Sequence, residues 1–209
     1  LALAGAGNAA EAARLAIAPP PAGTCPEQDG IAAAAARLAP GDELVLADGV
    51  YCQSGRRLIA VSGTAAAPIV IRAAEGAHPL LTRPDDPRQR NRFEGTEVEG
   101  AWLVLRGLRF HRGKRGLVFH AGARHITREY SEIAHTSNNA VTLNNGDTHG
   151  FVIRRNRIHH TGNLAPELGH TEGEGLYLGC HDGRCTASGH RIEANHIHDL
   201  GATSSGGND

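Results

Sequence analysis

The residues best equipped for chemistry in this chain of 209 residues are its 13 histidines and one acidic stretch. That stretch, TEGEGLYLGC (171–180), sets Glu172 and Glu174 immediately ahead of a short apolar run that carries Tyr177. Taking a proton from a carbon beside a carboxylate needs a base. It also needs a cation that neutralises the carboxylate as enolate charge develops. His160 and Tyr177 are the candidate bases, Glu174 a further acid–base group, and Arg154 the candidate catalytic clamp. His135, His159, His198 and Arg128 are candidates for holding substrate. Glu172, Glu174 and Asp199 offer the oxygens that a hard cation takes, so Ca2+ is the cofactor to expect and no other is. Glu172 or Glu174 with Asp199 would also make a carboxylate pair for glycoside hydrolysis. The plainer account is architectural, with turn histidines bonding to backbone and to one another, and Glu174 capping the turn at the following glycine.

These groups owe their positions to a repeat. The segments LRGLRFH (105–111), REYSEIA (128–134), IRRNRIH (153–159) and IEANHIH (192–198) align on Phe110, Ile133, Ile158 and Ile197. Ser131, Asn156 and Asn195 stand two positions earlier in three of them. A second apolar strand follows in the first three: GLVFH (116–120), AVTLN (140–144) and GLYLG (175–179). The starts fall 23, 25 and 39 residues apart. Short strands in coils of about 20–25 residues predict a parallel β-helix. Stacked asparagines at the turn would bond up and down the coil and tolerate left-handed backbone.

Overlaying the repeats gives columns. His111, Ala134, His159 and His198 form one; Arg112, His135, His160 and Asp199 form the next. In the following strand, alternation points Leu117, Val141 and Leu176 inward and Val118, Thr142 and Tyr177 outward, with His120, Asn144 and Gly179 also outward. Strands about 4.8 Å apart would let imidazoles of adjacent coils meet.

Upstream, DGIAAAAARL (29–38) predicts a short helix capped by Asp29, with Ile31, Ala34, Ala35 and Leu38 on one face. Such a helix would cover the open edge of the first coil. Residues 1–24 are expected to be a flexible or signal-derived segment ending in a proline linker, and 25–209 a single β-helix domain. The last repeat ends at NHIHDLGATSSGGND without its second strand, so C-terminal coils are expected to be missing. Four cysteines fall into two sets, Cys25 with Cys52 and Cys180 with Cys185. Two disulfides and an oxidising compartment are expected, against four reduced thiols or a metal at CHDGRC, whose spacing fits zinc loosely. Charge is balanced, 21 Lys+Arg against 22 Asp+Glu, and aromatics are 4%. Nothing steers the chain to nucleic acid, and no apolar run is long enough to span a membrane.

The opening half, APGDELVLADGVY followed by VSGTAAAPIVIRAAEGAHPLLT and GAWLVLRGLRFHRG, resembles the pectate-lyase-like superfamily. It is similar to the opening region of alginate lyases and chondroitinase B, and the resemblance spans roughly residues 28–198. It implies an all-β fold, a right-handed single-stranded parallel β-helix with a short N-terminal capping helix. It further implies an exported bacterial protein, secreted or periplasmic and monomeric, acting as a polysaccharide lyase on an acidic, uronate-containing polysaccharide. The alternatives are a non-catalytic carbohydrate-binding or surface β-helix protein and a glycoside hydrolase on the same fold. Such lyases are expected to use a lysine base beside an arginine on outward strand positions, with calcium held by acids. The one lysine here, Lys114, falls in a turn, which moves the base to His160 or Tyr177.

Overall fold

In the computed structural model the described residues are 12–86, 92–162, 172–180 and 182–201. Every strand pairing among them is parallel, and the strands form three sheets that each coil visits in turn. The first sheet runs from Arg14–Ile17 through Glu43–Leu46, Ile69–Ala73, Ala101–Arg106 and Arg124–Glu129. It continues through two short strands in each of the next two coils: Thr148–His149 and Val152–Arg154, both paired to Arg124–Glu129, then Ala187–Ser188 on the first of them and Arg191–Glu193 on the second. The second sheet stacks Val50–Cys52, Leu80–Thr82, Arg109–His111, Glu132–Ala134, Arg157–Thr161 and His196–Leu200. The third stacks Leu58–Ala60, Thr96–Glu99, Leu117–His120, Val141–Asn145 and Leu176–Leu178. This is a parallel β-helix with three strands per full coil.

Alternation builds the interior. Leu44, Ile71, Leu105 and Ile153 from the first sheet meet Phe110, Ile133 and Ile158 from the second and Leu117, Val141 and Leu143 from the third in one buried cluster. The predicted register of Phe110, Ile133, Ile158 and Ile197 is the observed one. So is that of Val118, Thr142 and Tyr177. The next outward column differs, because the register shifts between Val118 and His120 and sets His120 opposite Asn145, not Asn144.

Between the first and second sheets a polar ladder holds the corner. Leu108 N donates to Ser131 Oγ at 3.2 Å, Ser131 N to Asn156 Oδ1 at 3.1 Å, and Asn156 N to Asn195 Oδ1 at 3.0 Å. The left-handed backbone belongs to the residue before each of these: Gly107, Tyr130, Arg155 and Ala194, at φ of 69°, 50°, 54° and 53°. The amides therefore satisfy buried backbone groups while the preceding residue takes the strained geometry.

The predicted capping helix is corrected. The one helix among the described residues is a five-residue turn, Ile31–Ala35, preceded by Gly30 at φ 89° with no side-chain cap. The edge of the first sheet is instead closed by the strand Arg14–Ile17, paired in register with Glu43–Leu46. Asp29 is shared between this turn and a buried arginine. Its carboxylate accepts from Ile31 N at 3.1 Å and binds the fully buried Arg57, with Nη2 at 2.5 Å and Nε at 2.9 Å. An unpaired buried guanidinium would cost far more than a helix cap returns. Both disulfides form, Cys25–Cys52 and Cys180–Cys185, leaving no free cysteine.

Candidate histidine corner

The turn from the second sheet to the third carries the two predicted columns. Arg112, His135, His160 and Asp199 all adopt left-handed backbone, with φ of 66°, 57°, 52° and 52°. Each such turn costs a non-glycine residue of order 1 kcal/mol, and it aims successive side chains out at the same corner. In the column before it, His111, Ala134, His159 and His198 are in register.

The imidazoles meet as the strand spacing implies. His111 packs edge-on to His135 with centroids 5.3 Å apart, His135 tilts on His160 at 5.1 Å, and His159 stacks flat on His198 at 5.1 Å. Burial, with neighbouring imidazoles adding to it, pushes the His135 pKa down. Burial likewise pushes His159 down, against the bond from Glu132 that favours its charged form.

Hydrogen bonds fix the tautomers. His159 Nε2 lies 2.8 Å from Glu132 Oε1, and a carboxylate only accepts, so Nε2 carries the proton. With His159 neutral, its Nδ1 is an acceptor, and it lies 2.6 Å from His160 Nδ1. His160 therefore donates from Nδ1, which leaves a lone pair on its Nε2. A second, similar set lies beside it: His198 Nδ1 is 2.7 Å from Asp199 Oδ2, and Arg157 Nε donates to His198 Nε2 at 3.3 Å. The His198 bond holds the Asp199 carboxyl below its ordinary range.

Glu132 anchors the first set. The His111 ring, 3.6 Å away and so beyond hydrogen-bond length, acts on it first; then Arg109 and His159, which do bond, outweigh the cost of burial. Together they hold its carboxyl far below the usual carboxylate range. Glu132, Arg109 and Arg157 form the outward column two positions before the histidines, aligned coil to coil. Sequence reasoning passed over them, although the alternation that selected the histidine column selects this one too.

The other candidates disperse. Tyr177 stands on the third sheet opposite Thr142. Glu172 accepts from Asn138 Nδ2 at 2.5 Å, and Glu174 N donates to Asn139 Oδ1 at 3.2 Å while its buried Oε2 has no hydrogen-bond partner. The glycine that follows each of them serves close packing. A Cβ on Gly173 would collide with the Gly201 carbonyl oxygen, and one on Gly175 would lie 2.7 Å from Ile197. Residues 163–171 of the same insertion lie outside the described residues. Arg154 is on the first sheet, bound to Glu129, and does not face the histidines. Arg128 is buried in register with Leu105 and Ile153, pointing to the interior with its guanidinium unpartnered. Desolvation lowers its pKa to about 9. Val118 and Thr142, outward by alternation, are fully buried without belonging to the interior cluster. Among the described residues no group of three or more His, Cys, Asp or Glu side chains is gathered as a metal site, so Glu172, Glu174 and Asp199 do not form the expected calcium cage there.

No family model and no curated protein matches the sequence. Among solved structures, the chain is similar to an alginate lyase from Paenibacillus sp. str. FPU-7, at 22% identity and a TM-score of 0.71, over 89% of this chain and 58% of that one. It is also similar to pectate lyase Pel9A, at 19% identity and a TM-score of 0.67, over 88% of this chain and 47% of that one. The chain thus spans about half the length of each, 58% and 47%. At these identities the likeness is one of fold, and the fold is that of parallel β-helix polysaccharide lyases.

Proposed function

We propose that this chain is an exported, lyase-like β-helix protein that cleaves an acidic polysaccharide by β-elimination, with His160 as the base. The observation that carries this reading is the hydrogen-bonded series Glu132–His159–His160, which leaves a lone pair on His160 Nε2 at the corner. Glu132 and His159 are positioning residues: they set the tautomer and do not touch substrate. Arg157, more than half exposed, 3.3 Å from His198 and 4.0 Å from Glu132, takes the substrate carboxylate. In the step, His160 Nε2 takes the proton from the carbon beside the carboxylate. The electron pair of that bond forms the new double bond, and the bond to the leaving sugar oxygen breaks. The imidazolium then gives its proton to that oxygen, so the enzyme ends as it began. The likeness to an alginate lyase and a pectate lyase supports the polymer class, and the two disulfides support work in an oxidising compartment.

The test is a panel of alginate, polygalacturonate, chondroitin and neutral glycans, read by ultraviolet absorbance of the unsaturated uronate. A rise on one polyanion, absent in His160→Asn, is expected. New reducing ends without the absorbance would mean hydrolysis, and retention on a glycan column without turnover would mean binding alone; either result sinks the elimination step.

A further inference from the structure

A second site lies at the opposite edge of the second sheet, over the corner it shares with the first. Two outward columns flank this corner. On the first sheet Arg72, Arg106, Glu129, Arg154 and Glu193 stand in register; on the second Arg109, Glu132, Arg157 and His196 do. Each central glutamate lies between two arginines, one from the coil before and one from the coil after. Glu129 binds Arg106 at 2.6 Å and Arg154 at 2.6 Å; Glu132 binds Arg109 at 2.8 Å and has Arg157 at 4.0 Å. The pattern recurs at Glu43, between Arg14 at 3.1 Å and Arg72 at 3.0 Å. Each set of three carries one positive charge in excess.

Burial sorts the signs. The Glu129 side chain is 1% exposed, whereas Arg106 and Arg154 are 51% and 40% exposed. The carboxylates lie beneath and the guanidiniums form the surface. Between the columns lies a groove of about 710 Å³. Its floor carries Tyr130, 53% exposed, with the Arg155 guanidinium over its ring at 5.4 Å. Arg155 also bonds the Tyr130 hydroxyl, and among the described residues no ion pair joins it to a carboxylate. A chain whose formal net charge is −1 thus gathers cations along one edge.

The geometry points to a binding groove for an acidic polysaccharide along this edge, centred on Tyr130 and Arg155 and not on the histidines, with Glu132 and Arg157 on the boundary between the two. Planar guanidiniums take carboxylate or sulfate groups two bonds at a time. They recur with the coils, about 4.8 Å apart or a multiple of it, which suits a polymer bearing repeated anions. One exposed tyrosine ring serves as a platform for a sugar face. Stacking of successive bases needs several aromatics, which disfavours nucleic acid. The proposal takes from the proposed function only its class of polymer, and it requires no turnover.

Binding of fluorescently labelled polygalacturonate and dextran sulfate to the whole chain, with plain dextran and a DNA oligonucleotide of matched charge as controls, tests it. Asparagine tolerates left-handed backbone, so Arg155→Asn and Tyr130→Asn keep the corner's geometry. Each is expected to weaken acidic-glycan binding about threefold to fivefold, and the pair more than tenfold, with affinity falling as salt rises. His160→Asn should weaken binding less than either of these variants does. Loss of binding in His160→Asn with none in the Arg155 and Tyr130 variants would place the polymer at the histidine corner and overturn the groove. Equal binding of DNA would reduce it to an anion exchanger, and no binding of either acidic glycan at low salt would remove it. Elimination activity lost in His160→Asn with binding intact would separate the two sites, whatever the fate of either.

Discussion

The two edges of the second sheet handle charge in opposite ways. Towards the first sheet, arginines stand out in solvent over buried glutamates, and the edge is fully ionised. Towards the third, imidazoles are packed ring against ring, burial lowers the pKa of His135 and His159, and Glu132 fixes the His159 tautomer. The strand between them is three residues long at Glu132–Ala134, and Glu132 belongs to both edges, accepting from Arg109 on one side and His159 on the other. A β-helix repeats a residue type down a column at one spacing, so one strand can present an ionic ladder at one end and proton-transfer groups at the other.

Removing the shared anchor is the most damaging way to break this contrast. Glu132→Gln keeps the shape, but its amide can offer an N–H as well as an oxygen, and the His159 tautomer is no longer fixed. The expected result is a fall in kcat of about 10²-fold or more with KM nearly unchanged, and a pH profile shifted from that of the parent. An equal loss in kcat and binding would instead mean that Glu132 is only structural.

Next in size is stability at the ionic edge. Glu129→Gln leaves Arg106 and Arg154 without a carboxylate. Because both guanidiniums reach solvent, the expected cost is about 1–3 kcal/mol rather than that of a fully buried pair. Urea denaturation should show a lower midpoint at unchanged slope. No change would mean that the ladder contributes nothing to coil stacking.

Acid separates the edges. His135 and His159 have lowered pKa values in the folded chain, so the unfolded chain binds protons first. Their stabilisation is complete above the unfolded value near 6.5 and is lost as pH falls through the depressed folded values. Glu43, Glu129 and Glu132 are also lowered, by their arginine and histidine partners, from 4.5, so their contribution fails only at lower pH. Stability against pH should fall in two stages. His135→Asn should remove part of the first stage, and Glu129→Gln part of the second; a single stage unaffected by His135→Asn would contradict the neutral corner.

How much of this contrast the sequence reveals depends on what a column contains. The histidine columns were legible because four repeats align on Phe110, Ile133, Ile158 and Ile197, and a period of two then fixes every neighbour. The ionic columns obey the same arithmetic. They were missed because Arg–Glu–Arg looks like ordinary surface charge until burial of Glu129 shows which sign faces solvent. Arg128 misled for the opposite reason: it shares the inward face of Ile126, but arginine is expected outside. The bulge that sets His120 against Asn145 leaves no mark in composition, and the capping helix failed because the strand Arg14–Ile17 already covers the edge it would close. Such outcomes are decided by contacts across coils, which local pattern does not record.

The smallest expected effect is also the most selective. Exposed guanidiniums over a carboxylate are screened by salt, whereas neutral imidazoles packed together are not. The stability penalty of Glu129→Gln should therefore shrink by a few tenths of a kcal/mol between low salt and about 1 M NaCl. The penalty of His135→Asn, measured at neutral pH in the same buffers, should stay constant. Taking each variant against its own parent cancels the general effect of salt on folding. If both penalties shrank together, the histidine corner would carry charge at neutral pH, and the tautomer series that leaves a lone pair on His160 would not hold.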